Sequence, residues 1–485
     1  MNFTMPIFSA ALPEIFVLSM ACVILLVDVY VGKRFSIVTY SLVQLTLFFT
    51  FILCAMQFRE YPQAVITFSG HYVLDKLAVL VKLFVLVTAF FCFAYGRQYV
   101  NYRNISRGEY YLLGLFSILG MLIMASAMSF LTIYLGLELL SLSLYAMVAL
   151  NKDSGLATEA AIKYFVTGAL ASGLLLYGIS MIYGATGTVE ILSLEKMAVF
   201  SPAQTAVILL GLVFVLAGMI FKFGAVPFHM WVPDVYQGAP TSVTLFIASA
   251  PKIAAFAVLM RILVEAFPSL HVEWEHVLVV VAILSMFFGN LLAIAQTNLK
   301  RMLAYSSIAH IGYMLLGIIA GPNSHQGYSA AMFYVTTYVI VAAGAFAVIA
   351  LLSRSDMEFD QLDDYRGLNT RNPWLAFIML LLMFSMAGVP PTVGFFAKLG
   401  LLEALVEAHY VWLAALALLF AIVGAYYYLR MVMLMYFEEP RSRVVDTPIK
   451  IAPGIMAAIT INGIAALALG LFPSGLIEMC RISLG

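Results

Sequence analysis

FSMAGVPPTVGFFAKLGLLEA, residues 384–404, sets the terms for the rest of the chain. It is an apolar run cut by two adjacent prolines, Pro390 and Pro391, with a lysine, Lys398, just beyond them. The apolar stretch around it reaches from about 373 to 405, roughly 33 residues. As a straight helix that would measure about 50 Å, well past a ~30 Å hydrocarbon core. Proline removes a backbone donor and clashes with the preceding turn, so this helix is expected to break there. LAGMIFKFGAVPFHMW, residues 216–231, repeats the arrangement, with Pro227 following Lys222. Interrupted helices in corresponding positions of two halves are the sequence sign of an ion site near mid-membrane.

Outward from these two stretches, the whole chain reads as membrane protein. Of 485 residues, 64% are apolar and 10% are charged. A soluble protein carries about 25% charged residues, so most of this surface is unsuited to water. Fourteen apolar spans are expected, near 12–31, 35–58, 76–96, 110–127, 129–150, 160–183, 204–228, 240–264, 275–296, 302–320, 328–353, 373–405, 410–437 and 451–472. A lipid-embedded backbone must satisfy its own hydrogen bonds, which favours helices, and no run has the alternation of a membrane barrel. The fold class is therefore all-α and integral to the membrane, one polytopic domain over 1–485. The start, MNFTMPIFSAALPEIF, has no basic n-region, so the first apolar stretch is expected to be a retained span.

The bias of Lys and Arg gives a direction. Lys33, Arg34, Arg97, Arg103, Arg107, Lys152, Lys300, Arg301, Arg354, Arg366, Arg371, Arg441, Arg443 and Lys450 fall in one set of loops; Arg59, Lys76, Lys196 and Arg481 fall on the other side. The richer set is expected to be cytoplasmic, with both termini outside. Trp231, Trp274, Trp374 and Trp412 lie near span ends, as an interfacial aromatic belt would have them. The net charge is zero and no long basic run exists, which argues against a nucleic-acid partner. Cys22, Cys54, Cys92 and Cys480 stand far apart, so neither a metal site nor an iron–sulfur cluster is expected. HVEWEH, residues 271–276, is expected to be a solvated outer loop.

Seven basic residues fall inside spans. Lys163, Arg261 and Arg430 lie towards span ends, where long side chains snorkel to the interface, and the sequence leaves the role of Lys82 open. Lys222, Lys252 and Lys398 have no such exit, and Glu138 and His310 also fall mid-span. A central lysine costs about 2.5–3.5 kcal/mol on insertion scales, so these side chains should face the bundle interior. Buried ion pairs that merely fix helix register are the plain alternative, but three central lysines against one carboxylate do not neutralise pairwise. Burial disfavours a charged lysine and a nearby carboxylate restores it, which suits lysine to binding and releasing protons. Histidine adds a relay group with two nitrogens. AAIKYFVTG (160–168) matches AAMFYVTTY (330–338), and Glu138–span 6–Lys222 repeats as His310–span 11–Lys398. Five helices separate the copies, so the repeats are expected to be inverted: helices 1–3 over 1–109, a first repeat over 110–264, a second over 275–437 and a last helix over 451–472.

FKFGAVPFHMWVPDVYQGAPTSVTLFIASAPK (221–252) resembles the signature of the antiporter-like subunits of respiratory NADH:quinone oxidoreductase (complex I). ELLSLSLYAM (138–147), NLKRMLAYSSIAHIGYMLLG (298–317) and GVPPTVGFFAKLGLLEA (388–404) are similar to further motifs of that family. PDVYQGAPT and the Pro251–Lys252 pair resemble its N-type branch. The resemblance implies a fourteen-helix fold with two inverted five-helix repeats and broken helices seven and twelve. It also implies proton transfer through Glu138, Lys222, Lys252, His310 and Lys398. NADH, flavin (FMN), iron–sulfur clusters and quinone would belong to partner subunits, with none of these cofactors held in this chain. The partners would be other complex I membrane subunits, the antiporter-like M and small ones such as K and J, in a bacterial inner membrane. A stand-alone or Mrp-type cation/proton antiporter shares the chemistry and remains the other reading, beside a structural subunit with inert charges.

Overall fold

The computed structural model describes residues 5–32, 36–105, 107–197, 201–354, 357–440 and 451–484. Lys33, Arg34, Arg441, Arg443 and Lys450, which bear on orientation, lie outside the described residues. The chain opens with α1 (Leu12–Val27) and α2 (Ser36–Glu60), then a short antiparallel hairpin of β1 (Val65–Thr67) and β2 (Tyr72–Leu74) that pairs Val65 with Leu74. Then come α3 (Lys76–Tyr102), α4 (Arg107–Ala125), α5 (Phe130–Val148), α6 (Gly155–Thr186), the short α7 (Ile191–Glu195) and α8 (Pro202–Phe223). Next are α9 (Trp231–Gly238), α10 (Thr241–Ile247), α11 (Ala250–Met260), α12 (His271–Ile294), α13 (Leu299–Ala320) and α14 (Gly327–Leu352). The chain closes with α15 (Leu368–Arg371), α16 (Pro373–Ala387), α17 (Val393–Glu407), α18 (Val411–Phe437), α19 (Pro453–Leu471) and α20 (Ser474–Leu484).

Thirteen helical stretches among the described residues are long and apolar enough to cross a membrane. The remaining sequence span, 373–405, is divided into α16 and α17 by residues 388–392. Polar residues start the helices where the apolar runs begin: Asp75 accepts from the Ala78 amide at α3, and Ser129 from Thr132 at α5. Ser201 and Gln204 form a capping box at α8. Two of the helices that stop at a break within a predicted span, α8 and α16, end on Gly224 (φ +72°) and Gly388 (φ +86°). Both glycines lie in the left-handed region that closes a helix without a Cβ clash.

α13 is the axis of the molecule. Its span is wholly buried, and those of α10–α11 and α14 nearly so, while α1, α2, α18 and α19 turn wide faces outward. A helix apolar all round must sit in the middle of such a bundle. Lys252, Lys398 and His310 lie on or against this axis.

Five expectations need correction. The seventh span, put at 204–228, ends as α8 at Phe223, and residues 224–230 leave the helix before α9. The eighth span is also broken, at Ala248 and Ser249 between α10 and α11; Pro251 supplies the cause, because its ring starts a new helix better than it continues an old one. Arg261 does not snorkel: it is buried and bridged by Asp75 (2.7 Å) and Glu265. Residues 271–276 are the first turns of α12 rather than a loop, with Trp274 buried and its indole donating to the Phe267 carbonyl (3.3 Å). Trp231 is buried too, so only Trp374 and Trp412 present themselves as an interfacial belt would.

Candidate functional site

In the first half, α5 carries Glu138 and Ser141 one turn apart, so both project to one side of the helix. The Ser172 hydroxyl on α6 donates to the Glu138 carboxylate. Lys222, on the last turn of α8, donates to the Ser141 hydroxyl at 2.6 Å. Glu138 and Lys222 make no direct ion pair; the serine holds the lysine one turn from the acid. Trp231 keeps the break shut, donating to the Phe221 carbonyl (3.0 Å) and stacking on Tyr164 with ring centroids 4.4 Å apart. Pro227 lies within that break.

At the centre, Lys252 stands on the first turn of α11, immediately after the break in span eight. It is 4% exposed. Its ammonium donates to the Ser307 hydroxyl of α13 and to the Tyr338 hydroxyl of α14 at 3.5 Å, and it lies 4.9 Å from the Tyr338 ring centre. No carboxylate pairs with it among the described residues.

In the second half, the His310 Nδ1 meets the Tyr334 hydroxyl at 2.7 Å and its Nε2 the Tyr428 hydroxyl at 3.0 Å; Tyr428 bonds in turn to Ser306. Lys398 on α17 reaches back across the Pro390–Pro391 break and donates to the Met386 and Ala387 carbonyls, at 3.0 and 2.8 Å. These are unsatisfied carbonyls at the C-terminal end of α16, where the helix dipole favours a cation. A small cavity of about 20 Å³ is lined by His310, Tyr334, Tyr338, Ser385 and Lys398. That is room for a single water-sized molecule. Tyr338 therefore touches Lys252 on one side and shares this cavity with His310 and Lys398 on the other.

All five sequence-predicted residues thus fall in two groups: Glu138 with Lys222, and Lys252 with His310 and Lys398. Neither Glu138 nor Lys222 shares a hydrogen-bond partner with Lys252. Lys82 belongs to neither. It is fully buried, 2.6 Å from Glu14 of α1 and 2.9 Å from the Tyr72 hydroxyl, a pairwise-neutral clamp on helices one to three. Among the described residues no group of His, Cys, Asp and Glu is set to hold a metal ion.

The residues that sequence reading missed are hydroxyls: Ser141, Ser172, Ser307, Tyr334, Tyr338 and Tyr428. Two had a signal. Ser141 is three residues after Glu138 and Ser307 three before His310, the spacing at which helical neighbours meet.

Residues 127–425 match the family model described as NADH:quinone oxidoreductase/Mrp antiporter, transmembrane. A curated relative in Thiobacillus denitrificans, NADH-quinone oxidoreductase subunit N, is 54% identical over 483 residues, covering 99% of this chain and 98% of its own. In the structure of respiratory complex I from Thermus thermophilus with bound aureothin, one chain superposes with a TM-score of 0.81 at 32% identity, over 97% of this chain and 100% of that one. A chain of the Mrp complex from Dietzia superposes with a TM-score of 0.84 at 22% identity, over 98% and 97%, a likeness of fold alone.

Proposed function

The chain belongs to the NADH:quinone oxidoreductase/Mrp antiporter family, among its N-type subunits, and from that premise we propose that its own in-span lysines carry the protons. It is an antiporter-like membrane subunit of a proton-pumping NADH:quinone oxidoreductase. The observation that carries the reading is the position of Tyr338, bonded to Lys252 and bordering the cavity of His310 and Lys398.

A hydroxyl both donates and accepts, so each serine or tyrosine between two amines passes a proton on without holding a charge. A desolvated lysine alternates between ammonium and amine as its surroundings change. Glu138 supplies the one movable negative charge: near Lys222 it favours the ammonium, and withdrawn or protonated it favours release. Lys252 takes up the proton at the centre, and Tyr338 hands it towards His310 and Lys398. The 110–264 and 275–437 repeats are the units within which this occurs, broken at Pro227 and at Pro390 and Pro391.

NADH oxidation and quinone reduction run in partner subunits, where FMN and the iron–sulfur clusters reside; this chain takes part as a translocase. Its neighbours are the M-type antiporter-like subunit and small subunits such as K and J. It sits in the bacterial inner membrane with both termini on the periplasmic side. Affinity purification of the tagged chain from mild detergent tests the assignment: it should recover a large complex that oxidises NADH. Cation-dependent transport by the chain alone in liposomes would favour the stand-alone antiporter instead.

A further inference from the structure

Lys300 reads as a loop residue in the sequence, yet it sits on the first turn of α13 with its side chain 3% exposed. Its ammonium donates to the Ala239 carbonyl (2.8 Å) and the Thr241 hydroxyl (3.3 Å), and lies 3.8 Å from Glu358. Glu358, in the segment after α14, is 24% exposed. It accepts from the Tyr99 hydroxyl (3.0 Å), from Arg103 and from Thr241. Five side chains from four parts of the chain thus converge where the two halves meet.

The buried side of this cluster faces the central lysine. Lys300 and Ser307 are seven residues apart, so they share one face of α13, separated by a rise of about 10 Å. Ala304 lies between them on that face. The facing wall is a single stretch of chain. At one end Ala239 and Thr241 hold Lys300, and at the other the Tyr236 hydroxyl lies against Ser307, the group that holds Lys252. From outside inwards the order is a part-exposed acid, a buried amine, a hydroxyl and the central lysine.

We infer that Glu358 and Lys300 form the loading site through which protons from the cytoplasmic side reach Lys252, an inference that rests on the proton-carrier reading above. Glu358 takes a proton from water at its carboxylate and gives it to the neutral amine of Lys300. Lys300 in its charged form passes one along the α13 face through the Ser307 hydroxyl to the neutral amine of Lys252. Each transfer breaks one N–H or O–H bond and makes one, and the net result is one proton moved inwards. Among the described residues, Tyr99 on α3, Arg103 at its C-terminal cap, and Asp360 and Tyr365 after Glu358 are further titratable or charged groups facing the pair. Arg103 keeps a positive charge there throughout, because arginine does not deprotonate.

The test is proton pumping by the assembled complex in inverted membrane vesicles, with the bathing pH varied from about 6 to 9. Glu358→Gln should pump near the wild-type rate at the acid end and lose several-fold by the alkaline end, where collection from dilute protons becomes limiting. Glu358→Asp should recover most of that loss. Lys300→Arg keeps the charge and the cluster but cannot release a proton, and should pump at least about fivefold slower throughout. A cluster that only clamps the halves would give the reverse: Lys300→Arg normal, and a pH-independent loss in Glu358→Gln that follows the amount of assembled complex. That pattern, or wild-type pumping by both assembled variants at every pH, overturns the loading site. Lys252→Arg run in parallel separates the two levels, since normal pumping by that variant removes the proton-carrier reading itself.

Discussion

In the first half of the molecule Lys222 meets a serine hydroxyl one turn from a carboxylate; in the second, Lys398 reaches back across its helix break to two bare carbonyls, and its titratable neighbour is a histidine. A carboxylate can be moved or neutralised, so the field it exerts on Lys222 is adjustable. Helix-end carbonyls are part of the backbone and their dipole is fixed. In the proposed proton path the first half is therefore the one that charge can switch, and the second offers a constant resting place for a proton. The excess of central lysines over central carboxylates follows: Lys398 is stabilised by dipoles, and only Lys222 depends on an acid. Lys82 and Glu14, outside both halves, provide the contrast of a buried pair already neutral and closed to further exchange.

This difference is open to attack by substitution. The largest effect is expected for Glu138→Gln, which removes the adjustable charge and leaves the bulk unchanged. Pumping should fall about tenfold, ~1.4 kcal/mol on the barrier, with the complex still assembled on native gels. No carboxylate stands at the matching place in the second half, so no substitution there should reproduce that effect by charge alone. A loss of less than twofold would erase the distinction between the halves.

The two glycine caps sharpen the comparison at an intermediate level. An alanine in the left-handed region costs roughly 1–2 kcal/mol wherever it stands. At Gly388 the new Cβ would also lie 2.9 Å from Lys398 Cδ, the far end of a flexible chain, so Gly388→Ala should slow pumping several-fold more than it lowers the yield of complex. At Gly224 the Cβ would meet Val232 Cγ2 at 2.3 Å, and Gly224→Ala should instead lower the yield and the thermal midpoint. Equal effects on rate and yield in both variants would mean that Lys398 has no special relation to its break.

The smallest effect belongs to Asp234 on α9, which ties the end of the first break to Lys163 and Arg301, each at 2.7 Å. Burial opposes its ionisation, but hydrogen bonds from Lys163 and Arg301 outweigh it and hold the carboxyl below the usual range. A lowered value means the stabilisation is complete above the unfolded carboxylate range and is lost only as pH falls through the folded one. Asp234→Asn should thus lower the thermal midpoint by a small, constant amount from pH 6 to 8. A difference that changes across that window would contradict the assignment.

Much of this was legible in the sequence. The spans, the breaks at Pro227 and at Pro390 and Pro391, and the five ionisable residues within spans stand out because lipid leaves few ways to accommodate proline or charge. What stayed hidden depends on distant partners. Arg261 looks like a snorkelling residue until Asp75, 186 positions away, is brought beside it. Trp231 and Trp274 look interfacial until the chain folds over them. The tyrosines around His310 come from α14 and α18, and a tyrosine in an apolar helix has no pattern that distinguishes a relay from core. The break in span eight does have a sequence mark, Pro251 at the start of α11.

The central claim is that Lys252 gains and loses a proton, and one pair of substitutions addresses it. Lys252→Arg preserves a positive charge against Ser307 and Tyr338, whereas Lys252→Ala removes it; arginine, with a pKa above about 12, cannot act as a carrier. The measurement is the initial rate of proton uptake by inverted vesicles holding equal amounts of assembled complex. The account predicts that Lys252→Arg pumps nearly as poorly as Lys252→Ala, while a fully assembled Lys252→Arg complex pumping at the wild-type rate would contradict it.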